Sequence, residues 1–109
     1  MKIQLIRNKS CHIWQTTEKV LKEALSEARL PEEYEIVVVK NDEEAKKYHF
    51  YGSPQVTIND KDIDPIAEKA TQFQVEGCRI YLYEGKMYEY PPKEMIVESL
   101  KKVGDKYET

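Results

Sequence analysis

At 109 residues the chain has room for one packed domain and not for two. Apolar residues make up 40% and charged residues 34%, the balance of a soluble folded domain rather than a disordered one. The net charge of −3, with both signs interspersed, provides no basic stripe, so nucleic acid is not expected as a partner.

Lys2 to Arg7 predicts a strand with Ile3 and Leu5 on one face. From Trp14 to Arg29, Val20, Leu21, Ala24, Leu25 and Ala28 recur at spacings that put them on one helical stripe. Glu18, Lys19, Lys22, Glu23 and Glu27 cover the other side, and Pro31 marks the end of the helix. Tyr34 to Lys40 contains the β-branched run Ile36-Val-Val-Val39, which predicts a buried strand covered on both faces. Asn41-Asp42 caps a short helix from Glu43 to about His49, with Ala45 and Tyr48 facing inward.

Tyr51-Gly-Ser-Pro54 reads as a turn, and Gln55 to Asn59 as a strand with Val56 and Ile58 inward. Asn59-Asp-Lys61 forms a tight hairpin that returns through Asp62-Ile-Asp64. Pro65 opens a less regular stretch with one helical turn over Ile66 to Ala70. Arg79 to Tyr83 alternates as a strand, Glu84-Gly-Lys86 turns it, and Met87 to Tyr90 runs back. On this hairpin Tyr81, Tyr83, Tyr88 and Tyr90 read as cross-strand pairs. Pro91-Pro92 opens a last helix with Met95, Ile96, Leu100 and Val103 as its stripe and Gly104 as its stop. The domain is therefore drawn over residues 1–104, with 105–109 as a frayed tail.

The first strand–helix–strand needs a parallel right-handed crossover, whereas the hairpin after Pro54 needs antiparallel strands. An α/β mixed sheet with helices on both faces meets both demands. No apolar run approaches the ~20 residues of a membrane span. No signal peptide precedes the first strand, so a cytoplasmic monomer with no membrane contact is expected.

In a reducing cytosol, Cys11 and Cys78, 67 positions apart, are not expected to form a permanent structural disulfide. Cys11 falls between a strand end and a helical pattern, where partial positive charge and unpaired N–H groups favour thiolate over thiol. Lys9 and His12 can add to that effect; the other readings of His12 are a proton donor to a leaving thiolate or simply a solvated side chain. The alternative for Cys11 is a small buried hydrophobe at the strand end. Cys78 is either the internal partner that resolves a Cys11 intermediate or a core residue at a strand start. Arg79 beside it is either a stabiliser of thiolate or a solvated edge charge. Trp14 is read as packing the first helical turn against the loop containing Pro54, or as a stacking wall for a substrate. A soft-metal site on Cys11, His12 and Cys78 lacks paired-cysteine spacing, and none is expected.

This order of elements, with a cysteine after the first strand and Gly52-Ser53-Pro54 before the third, resembles the thioredoxin superfamily, especially its glutaredoxin-like branch. Ser-Cys-His-Ile-Trp14, Tyr-Gly-Ser-Pro54, Gly-Cys-Arg-Ile-Tyr81 and Pro-Pro-Lys-Glu-Met-Ile96 are together similar to a small thioredoxin-like family. The resemblance implies a thioredoxin-like fold with an extra hairpin before the last helix. It also implies Cys11 as nucleophile and Pro54 in cis facing it, with Ser53, Pro54, His12 and Trp14 around the substrate. A dithiol motif has its second cysteine at position 14, where this chain carries Trp14.

Two functions follow. One is a monothiol or atypical two-cysteine thiol–disulfide oxidoreductase with no bound cofactor. Its substrate is a disulfide-containing protein or a low-molecular-weight thiol, with glutathione as the optional co-substrate, and Cys78 or glutathione resolves the intermediate. The other is a redox-inactive module of the same fold that binds a peptide or small ligand.

Overall fold

Strand β1 (Ile3–Arg7) is the spine of the molecule, because it has a hydrogen-bonded neighbour on each side. Parallel to it runs β2 (Glu35–Val38), and antiparallel on the other side runs β3 (Gln55–Ile58), which pairs in turn with the short β4 (Lys61–Asp62). The sheet order β2-β1-β3-β4 is thus mixed, as the demands of the crossover and the hairpin require. The computed structural model describes the backbone of residues 1–108 and the side chains of residues 1–104.

Alternation along β1 sends side chains to two different packing layers. Ile3 and Leu5 join Val56 and Ile58 of β3 in the larger core. Against them pack Leu21, Ala24 and Leu25 of α1 (Trp14–Glu27) and Ile96, Val97 and Leu100 of α3 (Lys93–Glu108). Ile6 points the other way, to Val39, Phe50 and Ala45 of α2 (Asp42–Tyr48). Helices therefore cover both faces. Asn41 caps α2 by accepting the Glu44 N–H on its side chain, as the sequence predicts.

Two expectations need correction. β2 is an edge strand with Ile36 exposed, not a strand covered on both faces. A β-branched run favours extended backbone in either setting, and here only Val37 and Val39 reach the smaller core. Gly104 does not stop the last helix, which continues to Glu108. Glycine weakens a helix interior by only about 1 kcal/mol, and Gly104 does not take the left-handed conformation of a helix-ending glycine. The tail expected over 105–109 falls on side chains, and at Thr109 on backbone, outside the described residues. Cys11 lies in the loop between β1 and α1, as the sequence places it, ahead of the first helical turn at Trp14.

The turn Asn59-Asp60 has positive φ at both residues, 53° and 67°, the geometry that joins two antiparallel strands with the correct twist. A 3₁₀ turn follows at Pro65–Lys69. β5 (Tyr81–Tyr83) and β6 (Lys86–Tyr88) form a second, two-stranded sheet in which Tyr81 faces Tyr88. Of the four tyrosines read as cross-strand pairs, only these two pair; Tyr83 is opposite Lys86 and Tyr90 lies beyond β6. Among the described residues, no helix is long and apolar enough to cross a membrane.

Tyr81 fastens this small sheet to the large one. Its ring is fully buried and its hydroxyl donates to the Pro54 carbonyl. Burial, which penalises phenolate, holds its pKa well above the ordinary tyrosine value. In the unfolded chain the same phenol ionises near pH ~10. The native state therefore keeps a proton that the unfolded state releases, and stability falls as pH rises beyond that point. Urea unfolding at a series of alkaline pH values should show this loss. Tyr81→Phe should cost about 1 kcal/mol at neutral pH through the lost hydrogen bond. It should also make the alkaline slope shallower by up to about 1.4 kcal/mol per pH unit.

Candidate functional site

β1 ends at Arg7, and the buried Asn8 that follows ties three chain segments together. Its side-chain amide donates to the carbonyls of Val75, at 3.0 Å, and Gly77, at 3.3 Å. Its backbone N–H points to Ser53 Oγ at 3.4 Å. Ser53 in turn donates its N–H to the Gly77 carbonyl and accepts the Arg79 N–H on its own carbonyl, both at 3.1 Å. These two bonds make a parallel bridge between Ser53 and Cys78. Gly52 permits the close approach: with φ at 158°, a Cβ there would lie 3.2 Å from the Cys78 backbone and from Arg79 Cβ.

The three segments enclose a cleft of about 370 Å³, large enough for a small organic group or a side chain. Cys11, half-buried, and Cys78, exposed, are both free thiols, and both line this cleft together with His12 and Ser53. Cys78 is therefore not a core residue. Ile13, the N-terminal cap residue of α1, lines the cleft as well. No side chain caps that helix end and no acidic residue occupies its first turn.

Two of the predicted site residues lie outside the lining. Trp14 packs against the larger core, with the Arg7 guanidinium 4.5 Å from its ring centre. It is not on the cleft wall, so it offers no stacking surface there. Pro54 is buried, its peptide bond with Ser53 is cis, and its carbonyl is occupied by Tyr81. Pairing of a substrate strand with backbone beside Pro54 would meet an obstacle, since both backbone groups of Ser53 already serve the chain's own segment.

Arg79 is neither a solvated edge charge nor a free stabiliser of thiolate. It is 3% exposed, and its Nη1 and Nη2 donate to the two carboxylate oxygens of Asp62 at 2.7 and 2.6 Å. Asp64 lies 3.8 Å away, and the rings of Tyr51 and Tyr81 stand 4.3 and 4.7 Å from the guanidinium. Burial opposes its charge, but Tyr81, Asp62 and Tyr51 outweigh that and hold its pKa above the ordinary arginine value. Burial also raises the Tyr51 pKa, against the opposing pull of Arg79. Sequence reasoning missed this group and Asn8. The available signal was the alternation Asp62-Ile63-Asp64, which puts two carboxylates on one side of a returning strand.

Chemically, the site offers two thiols, an imidazole and a helix terminus around one cavity. That is the equipment for thiol–disulfide exchange. Among the described residues, no group of three or more His, Cys, Asp or Glu side chains stands in a metal-holding arrangement.

The chain belongs to the family described as a domain of unknown function, DUF2703, whose profile matches residues 2–100. That span contains every segment that builds the cleft. Comparison with curated proteins and with solved structures gave no match.

Removing one partner of a buried ion pair strands the other charge, at a typical cost of ~3–5 kcal/mol. Asp62→Asn should therefore lower the unfolding free energy by about 3 kcal/mol. Adding Arg79→Met should recover part of that loss, because the stranded charge is then gone. Urea denaturation of the two single variants and the double variant checks this; strictly additive losses would contradict it.

Proposed function

We propose that the protein is a thioredoxin-like thiol–disulfide oxidoreductase of the atypical two-cysteine type. The observation that carries this reading is the placement of two free thiols, distant in sequence, on the wall of one cleft. The uncapped end of α1 at Ile13 lines the same cleft. The cis bond before Pro54 agrees with what the resemblance implies.

In this mechanism the Cys11 thiolate attacks one sulfur of a substrate disulfide. A Cys11–substrate disulfide forms, the substrate S–S bond breaks, and the second substrate sulfur leaves as thiolate, with His12 placed on the cleft to supply its proton. The Cys78 thiolate then attacks Cys11 Sγ, forms the Cys11–Cys78 disulfide and releases the first substrate sulfur. Two electrons pass from the cysteine pair to the substrate. A further cycle needs an external thiol reductant, such as two molecules of glutathione or one dithiol, which is itself oxidised to a disulfide. Cys78 replaces the resolving cysteine that a dithiol motif carries at position 14.

The competing reading is a redox-inactive module that binds a peptide or small ligand in the same cleft. The feature favouring it is Trp14, which occupies the position of that missing cysteine.

The decisive measurement is intact mass after incubation with a small disulfide. The wild type should lose two hydrogens and retain no adduct. Cys78→Ser should accumulate the mixed disulfide on Cys11, and Cys11→Ser should do neither. An adduct that persists on the wild type would remove Cys78 from the mechanism and leave a monothiol cycle. Should Cys11 react no faster than in the urea-unfolded chain, the binding module is the better account.

A further inference from the structure

Recognition at this cleft has an uneven supply of groups. The backbone N–H and C=O of Ser53 are spent on the chain's own segment 77–79, and the Pro54 carbonyl is spent on Tyr81. Side chains are left to select what approaches Cys11. Four of the lining side chains are ionisable groups other than thiols: His12, Glu76, Arg79 and Glu89. Arg79 is buried and committed to Asp62, with Asp64 nearby, so its charge is already matched. The His12 imidazole is exposed. Glu76 and Glu89 are exposed, and among the described residues neither takes part in an ion pair.

Besides His12, the lining's other positive contribution comes from the end of α1, and Lys9, two positions before Cys11, lies outside the lining. A helix terminus is equivalent to about half a charge and its influence fades within one turn. It does not offset two full carboxylates facing an arriving substrate. The local balance is therefore split: positive at the helix end and negative on the outer walls.

We infer that the cleft selects disulfides flanked by positive charge and disfavours anionic ones such as oxidised glutathione. This rests on the redox reading above and narrows it to a substrate class. The thiols make the site; Glu76 and Glu89 filter what enters it. Cationic flanking groups can come from a basic polypeptide or from a small diamine disulfide, and the shared chemistry is an ammonium or guanidinium beside the S–S bond.

The test uses the full-length Cys78→Ser variant, which isolates the first exchange step. Rates of Cys11 adduct formation are measured with cystamine, bis(2-hydroxyethyl) disulfide and oxidised glutathione at one fixed pH. Each rate is divided by that of the same reagent with the urea-unfolded chain, which cancels intrinsic reagent reactivity. The order should be cystamine, then the uncharged disulfide, then oxidised glutathione, spanning about tenfold at low salt and converging at high salt. Glu76→Gln with Glu89→Gln should collapse the span, while Glu23→Gln on the exposed side of α1 should leave it intact. An arginine-flanked disulfide peptide run beside cystamine identifies the source, by whichever gives the larger normalised rate.

Equal normalised rates, a preference for oxidised glutathione, or a span untouched by the double substitution would each overturn the charge filter while leaving the exchange chemistry standing. Failure of Cys11 to form an adduct with any of the reagents is a different result. It sinks the redox reading, and the filter with it.

Discussion

Arg79 brings a full positive charge into the interior, and much of the structure around the cleft is arranged to receive it. Asp62 accepts both of its Nη groups, and also accepts the Gln55 side-chain amide and the Asp64 backbone N–H. Gln55 belongs to β3 and Asp62 to β4, so the charge is clamped to the edge of the main sheet. Arg79 also bonds Ser53 through its backbone and leads within two residues into the buried Tyr81. A buried pair of this kind gains little net stability over apolar packing, because desolvating two charges offsets most of their attraction. What it does fix is position. The residue next to Arg79 is Cys78, whose backbone is held against Ser53 as a consequence.

This dependence explains which parts of the molecule were legible in the sequence. The α1 stripe was readable because Leu21, Ala24 and Leu25 repeat with helical period against a charged remainder, and all three are fully buried. The Asn59-Asp60 turn was readable because its residues tolerate positive φ. The edge position of β2 was not, since Ile36-Val-Val-Val39 has the same character with or without a covering layer. The length of α3 was not, since one glycine weakens a helix without ending it.

The candidate site divides in the same way. Cys11 and His12 are legible as a local pattern between strand and helix, whereas local sequence leaves Cys78 open between a resolving partner and a core residue. Arg79 was misread because nothing local distinguishes a paired arginine from a solvated one. Its partners stand 15 and 17 positions earlier, Asp62 on a strand only two residues long and Asp64 just beyond it. Asn8 was invisible for a related reason. A polar residue after a strand reads as loop, and only the tertiary structure reveals that its amide joins Val75 and Gly77.

Separating the two thiols by 67 positions has a thermodynamic consequence that a short two-cysteine turn lacks. In the unfolded chain, bringing Cys11 and Cys78 together means closing a long loop, at an entropic cost of ~4 kcal/mol on a chain-entropy account. In the native chain that cost is already met by β1, the Ser53 bridge and the Arg79 clamp, which put both residues on one cleft. The effective concentration of one thiol at the other is thus a property of the fold and not of local sequence. Linkage makes the relation reciprocal: an internal disulfide would stabilise the fold by as much as the fold favours the disulfide. Any disulfide between the two cysteines would therefore be coupled to the integrity of the clamp.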